Sequence, residues 1–495
     1  MKKRIVLSIL AIMMVAAVTA CGNNKTSSKS TTDTTTATAA ASSDGTETYN
    51  VLTVKTDWEE KGTITFSDLG IDISGSGATA EDGVCTITEG GSYTLKGTSE
   101  DCSIVINTEE NVKLILNDVT LTSTTGPVIY GSQVKNLYIE LAEGTTNNLT
   151  DSDTYATDST TGEEIGKGVI SCEDDVVILG EGTLNITANH KHGIASDDKL
   201  YVESGIINIT SNGTDGMHAN DLVCIDGGNI NITAASDLIE SEDILVVTGG
   251  EITGSSEDEG IESKNAVYIN GGTIDIKAED DGINAATYLE INDGSVTVST
   301  NRGDALDCNG NSEGCITING GTVYALGGGT PEGGIDVDNS SAVINGGTVV
   351  AVGDVNSPIS DTSKQTTVVY GSFNANEKIE IKDSDGNSLF AYTPEVSGNT
   401  MIISVAGLEN GSSYSVYAND EESISFTVDS VIVEAGGSAN GMGGMGGRGQ
   451  GGGQGGNFGG GPGGGQGDGQ MERGQRPEGF EGEPPEDLKQ EAPSL

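Results

Sequence analysis

Eight glycines, Gly182, Gly205, Gly228, Gly250, Gly272, Gly294, Gly321 and Gly347, follow one another at spacings of 23, 23, 22, 22, 22, 27 and 26 residues. A period near 22 residues sustained over eight units describes a stack of short units, each too small to bury its own apolar face. In most units apolar residues stand five and three positions before the glycine and two and four after it, as in Leu200, Val202, Ile207 and Ile209. Alternation by two on both sides of a glycine implies two short strands, each with one face inward, joined by a bend that exploits the missing Cβ. A third apolar residue follows eleven or twelve positions after the glycine, at Ile194, Met217, Ile239, Ile261, Ile283 and Leu306, with Ile335 a looser match. Helical periodicity is absent. Three inward segments per repeat give an all-β fold, a right-handed parallel β-helix whose rungs stack at about 4.8 Å. Leucine-rich repeats share the period, but their LxxLxL and Asn signature is missing.

The same register exposes chemistry. Two positions before the third inward residue stand His192, Asp215, Asp237, Glu259, Asp281 and Asp304, and just after it Ala195, His218, Glu240, Glu262, Asn284, Asp307 and Asp336. Asp258 and Asp280 adjoin these two ladders. Carboxylates stacked at about 4.8 Å repel by on the order of 1 kcal/mol per pair even with full water screening, so something must offset the repulsion. Calcium is the cofactor expected, because it accepts six to eight oxygens in irregular geometry. Its candidate ligands are Asp215, Asp237, Glu240, Asp258, Glu259, Glu262, Asp280, Asp281, Asp304 and Asp307. The competing reading is a solvated face, or corners where Asp-Gly is chosen for its turn chemistry, as at Asp215-Gly216 and Asp281-Gly282. That reading covers the first ladder and leaves Glu240, Glu262 and Asp307 unexplained.

Charge and composition narrow the partners. The 495 residues include 75 acidic and 23 basic ones, a net charge of −52, which repels nucleic acid. Aromatics make up 4%, and the one tryptophan, Trp58, precedes the repeats, so the usual stacking platforms for neutral sugars are scarce. Tyr201 and Tyr268 share a strand position one before the inward residue that precedes the bend. They are expected on an exposed face, where they would stack on sugar rings. Lys2, Lys3 and Arg4, the apolar stretch from Ile5 to Val18, and Val18-Thr19-Ala20-Cys21 describe a lipoprotein signal over 1–20, with Cys21 carrying lipid. A Ser/Thr-rich stretch over 21–48 then serves as a tether. The expected location is the outer face of the cell membrane, held there only through that lipid, with the chain a monomer. Cys85, Cys102, Cys172, Cys224, Cys308 and Cys315 are too scattered for a disulfide framework, and a Cys85–Cys102 pairing stays open.

The β-helix is expected over 49–366, with irregular first rungs and a cap over 49–169 and regular repeats over 170–353. A small β subdomain or cap follows over 367–435. Residues 436–495, Gly-rich and then Pro/Glu-rich, bury too little apolar surface to fold and are expected to be disordered.

Tyr93-Thr94-Leu95-Lys96-Gly97, Val112-Lys113-Leu114-Ile115-Leu116-Asn117, His192-Gly193-Ile194-Ala195-Ser196-Asp197-Asp198 and the repeated Gly-Gly-Thr-Ile or Gly-Gly-Thr-Val units occur in that order. Together they resemble a bacterial carbohydrate-binding β-helix family of secreted clostridial lipoproteins. The resemblance implies a pectate-lyase-like fold and binding of cellulose-like or acidic, pectin-like polysaccharide, with calcium in the structure. Two functions follow. A tethered, non-catalytic protein would bind polysaccharide with calcium bridging carboxylates on both sides. A calcium-dependent lyase would instead need a base beside the metal, for which Lys264 and Arg302 are the candidates. A structural adhesin stiffened by calcium is a third, weaker reading.

Overall fold

The computed structural model describes residues 54–437 apart from 330 and 339, together with the backbone of two short strands, Ala37–Thr38 and Thr48–Tyr49. The signal segment 1–20, Cys21, most of the tether and the tail beyond 437 lie outside the described residues. Among the described residues every regular element is a β-strand. They wind into a parallel β-helix of about 12 turns with about 23 residues per turn, one more than the commonest glycine spacing because the longer units raise the mean.

One rung shows how the turns stack. Its strands are Met217–Ala219, Leu222–Ile225 and Asn229–Ala234. Each pairs in parallel with its counterpart one rung before, His192–Ser196, Lys199–Val202 and Ile206–Ser211. Each also pairs with its counterpart one rung after, Ile239–Ser241, Ile244–Val247 and Glu251–Ser256. Repetition of this pattern builds a third stack, containing Met217–Ala219, a pre-bend stack and a post-bend stack around one core. Ile194, Met217, Ile239, Ile261, Ile283 and Leu306 form a fully buried ladder inside it, in one core with Ile207, Ile230, Ile252, Ile274 and Val296 of the post-bend stack. Each such side chain contributes roughly 1.5–3 kcal/mol by leaving water.

Seven of the eight period-defining glycines, Gly205 to Gly347, have φ between +77° and +115°, as the bend requires. The first unit differs. There Gly180 takes the positive φ of 101°, while Gly182 is fixed by close approach, since a Cβ on it would lie 2.4 Å from the Ala142 carbonyl oxygen.

Antiparallel strands cover the pre-bend and third stacks at the start and the post-bend stack at the finish, which reduces the open parallel edge a solenoid would otherwise present. At the start Gly70–Gly75 folds back on Glu60–Ser67. At the finish Thr400–Ser404 runs antiparallel to the last post-bend strand, Thr348–Gly353, and to Thr367–Tyr370. A four-stranded antiparallel sheet, Ile379–Asp383, Ser388–Tyr392, Ser413–Ala418 and Glu421–Thr427, completes the C-terminal cap. The six cysteines from Cys85 to Cys315 are buried and free, and the Cys85–Cys102 bond is not formed.

Polar side chains also repeat by rung. Asn292 Nδ2 donates to Asn270 Oδ1, Asn319 Nδ2 to Asn292 Oδ1 and Asn345 Nδ2 to Asn319 Oδ1, each at 2.8 Å. A shorter ladder joins Asn208, Asn185 and Asn148. Asn208-Ile209-Thr210 therefore owes its asparagine to this stacking.

Candidate functional site

The third stack carries the acidic face. Its pairing aligns Ala195, His218, Glu240, Glu262, Asn284, Asp307 and Asp336 rung over rung, the order expected from the repeat. In the first ladder several acids use one oxygen to tie rungs together. Asp215 Oδ1 accepts the Asp237 N–H at 3.3 Å, Asp237 Oδ1 that of Glu259 at 3.0 Å, and Asp281 Oδ1 that of Asp304 at 2.8 Å. Asp304 Oδ1 accepts the Gly333 N–H in the same way. The glycines beside these acids do not take a left-handed turn. They admit a neighbour instead, since a Cβ on Gly282 would lie 2.0 Å from Val298 Cγ1 and one on Gly216 2.4 Å from Ile232 Cγ2. Turn chemistry is therefore not what selects these aspartates. They do serve the backbone, but between rungs, and Asp215 gives its second oxygen to His192.

The two ends of the face differ in charge. At the N-terminal end Asp215 Oδ2 lies 2.9 Å from His192 Nδ1 and 3.5 Å from His218 Nδ1, and His218 Nδ1 lies 3.0 Å from Glu240 Oε2. The two imidazoles stack with centroids 4.5 Å apart. Burial opposes charge on Asp215, yet the hydrogen bonds from His192 and His218 outweigh it and hold the carboxyl far below the usual range. For His218, burial is likewise outweighed by its bonds to Asp215 and Glu240, and its pKa is raised to about 9. Lys264 Nζ sits 3.1 Å from Glu240 Oε1 and also binds Glu262. These contacts overcome its burial and keep its ammonium charged well above the ordinary lysine range.

Beyond Glu240 and Glu262, which Lys264 holds, no basic side chain among the described residues pairs with an acid of the two ladders. Asp237 is buried beside Asp215, and burial first, then that charge, pushes it up to about 10, while burial raises Glu259 to about 7. Asp237, Glu259 and Glu262 bring carboxylate oxygens within 4.8 Å of one another, as do Asp258, Glu259 and Asp280.

The C-terminal group is the cleanest. Asp304, Asp307 and Asp336 also converge within 4.8 Å. Burial, with the charge of Asp336 adding to it, raises Asp304 to about 8 and Asp307 to about 7. Asn309 Nδ2 holds Asp307 Oδ2 at 2.9 Å and Ser357 Oγ holds Asp336 Oδ1 at 2.8 Å, so the carboxylates are oriented while keeping oxygens to offer. Among the described residues no basic side chain pairs with this trio. Three hard oxygen donors without a counter-ion fit calcium, whereas the imidazole-bearing N-terminal group is already neutralised internally. Asp336 belongs to the second ladder by sequence, and only its convergence with Asp304 and Asp307 makes it a ligand candidate.

The other expected residues fall elsewhere. Arg302 is 69% exposed and turns away from Asp304 to pair with Glu279 at 3.0 Å. Lys264 lies on the acidic face, but fully engaged by Glu240 and Glu262. Tyr201 and Tyr268 do share a register, yet the structure corrects their expected exposure: they are only 9% and 7% exposed. Their neighbours at this register are Val177, Cys224 and Val246, which form with them an apolar stripe on the outside of the pre-bend stack. Tyr201 spends its hydroxyl on Asp226 at 3.0 Å, and neither ring offers an open platform.

Fold and face together define a parallel β-helix that presents rows of oxygen donors along one stack. Residues 81–261 and 243–389, together more than half of the chain, match the family described as carbohydrate-binding domain-containing protein, and the chain belongs to that family. A carbohydrate-binding domain-containing protein of Acetivibrio thermocellus is 34% identical over 112 residues, which make up 22% of this chain and 39% of that protein. The match thus spans well under half the length of that relative. The solved structure of a polysaccharide lyase-like protein from C. thermocellum, a gadolinium derivative, is similar over 53% of this chain and 99% of that one, at 30% identity and a TM-score of 0.43.

Proposed function

We propose that the protein binds polysaccharide without cleaving it, and that calcium held on the third stack bridges its carboxylates to acidic groups of the glycan. Polysaccharide binding accords with membership of the carbohydrate-binding family. The observation that carries the calcium reading is the trio Asp304, Asp307 and Asp336, three oriented carboxylates within 4.8 Å without a basic partner. Bound calcium would supply the positive charge that offsets their repulsion and leave coordination positions for a uronate. A chain of net charge −52 otherwise repels an acidic glycan. A lyase base must give up its proton, and Lys264 is held charged by two glutamates while Arg302 faces Glu279, so neither suits that role. Lipid on Cys21 would place the protein on the outer face of the cell membrane, a reading that rests on the sequence.

Calorimetric titration with calcium, alone and then with polygalacturonate, tests the proposal while ultraviolet absorbance follows unsaturated product. Calcium-dependent glycan binding without product, lost in Asp304→Asn/Asp307→Asn, is the expected result. Product formation would overturn the non-catalytic reading, and absence of calcium uptake would remove the bridge.

A further inference from the structure

Beside the first rungs, away from the acidic face, an open cavity of about 450 Å³ is lined by Lys55, Trp58, Lys61, Asn111 and Lys135. Three glutamates share its wall, and each is already engaged. Glu59 pairs with Lys61 at 3.1 Å, Glu109 Oε1 accepts from Gln133 at 3.2 Å, and Glu110 Oε2 accepts the Gly90 N–H at 2.8 Å. Among the described residues Lys55 and Lys135 have no carboxylate partner. Lys55 Nζ donates to the Asp57 carbonyl and lies 5.0 Å from the Trp58 ring centroid, and Lys135 is exposed. The lining holds three lysines and three glutamates, so its charge is balanced as a whole, and Lys55 and Lys135 stand out by lacking a carboxylate in contact. Asn111 adds a buried side-chain oxygen that no donor among the described residues reaches. Trp58 is held in place by its Nε1–H bond to the Lys55 carbonyl at 2.7 Å and by an edge contact with Tyr138 at 4.9 Å. The cavity thus offers two ammonium groups without a carboxylate partner, beside a fixed, half-buried indole over which Lys55 and Lys113 already lie at 5.0 and 5.4 Å from its centroid.

We propose that this cavity binds a carboxylated sugar residue directly, with no bridging cation. Its carboxylate meets Lys55 and Lys135, and because the Lys55 ammonium lies over the Trp58 ring, binding there changes the surroundings of the indole. The proposal rests on the polysaccharide-binding reading but uses none of the residues of the acidic face, so the two bind the same class of glycan by opposite electrostatics. Calcium helps at one and is irrelevant at the other.

Trp58 is the single tryptophan of the chain, so its fluorescence reports on the cavity alone. The full chain is titrated with trigalacturonate in excess EDTA, with cellotriose as the neutral control. A saturable change for trigalacturonate, absent or much weaker for cellotriose and weakened by added sodium chloride, is expected. Lys135→Glu, at an exposed position, should lower the affinity about tenfold through loss of a charge-assisted contact, with Lys135→Gln falling between it and the parent. Asp304→Asn/Asp307→Asn should leave the fluorescence titration unchanged. A flat signal in EDTA, an equal response to cellotriose, or parent-like affinity in both Lys135 variants with unaltered melting temperatures would overturn the proposal. Calorimetry with calcium and polygalacturonate on Lys135→Glu reads the acidic face separately, so either idea can fail while the other stands.

Discussion

Two kinds of ladder of polar side chains repeat on this solenoid, asparagine ladders and acidic ones, and the same rung spacing treats them oppositely. An amide is both donor and acceptor, so Asn292, Asn319 and Asn345 each donate to the asparagine one rung before at 2.8 Å, and Asn319 donates to Glu290 besides. An ionised carboxylate only accepts. Stacked on its own kind it gains nothing and repels, and the third stack answers in two ways. At the N-terminal end His218 and Lys264 neutralise the acids from within, and His192 bonds to Asp215. At the C-terminal end Asp304, Asp307 and Asp336 converge with no basic partner among the described residues. Translational repetition thus favours self-complementary side chains as structure and leaves self-repelling ones as sites.

The contrast can be broken at several points. Calcium at a hundredfold excess over its dissociation constant should stabilise the protein by about 2.7 kcal/mol, read as a raised melting temperature. In Asp304→Asn/Asp307→Asn that increment should vanish, while the calcium-free protein becomes more stable than the parent. An increment that persists would place the ion elsewhere. Next in size, Asn319→Asp inserts a carboxylate into the amide ladder beside Glu290, which Asn319 binds at 2.7 Å. It should cost roughly 2 kcal/mol in chemical denaturation, because two donated hydrogen bonds become facing acceptors.

The pH dependence sharpens the same point. Asp304 and Asp307 are raised to about 8 and about 7 when folded, above the unfolded carboxyl range near 4, so the folded state holds protons the unfolded state has released. Their contribution to stability is therefore complete below about pH 4 and lost as pH rises through about 7 to 8. In EDTA the melting temperature should fall between about pH 5 and about pH 8, and calcium should flatten that fall. A rise over this interval in EDTA would mean that the carboxylates are already compensated. The smallest effect belongs to Tyr201→Phe, which deletes the bond to Asp226 and should cost about 1 kcal/mol with no loss of glycan affinity.

What the sequence disclosed follows from the same repetition. Once the period is known, register is pure translation, so the inward Ile and Leu positions and the order of His218, Glu240, Glu262 and Asp307 follow from the amino-acid spacing alone. What depends on direction across a rung does not. The commitment of Asp215 and Asp237 to backbone N–H groups one rung on, the pairing of Arg302 with Glu279 rather than Asp304, and the burial of Tyr201 and Tyr268 against their stacked neighbours all need side-chain orientation. The Trp58 cavity lies further out of reach. Its walls come from residues 55–61, 90–91, 109–111 and 135, segments that precede the regular repeat and share no spacing rule.

The antiparallel strand Thr400–Ser404 meets only the final rung, and the hairpin at the start meets only the first. Neither end senses how many rungs lie between. One more copy of the unit would lengthen the array by about 4.8 Å and add a further pair of acidic positions without disturbing either terminus. The extent of the acidic face is thus a property of the length of the array, and duplication of some two dozen codons is enough to change it.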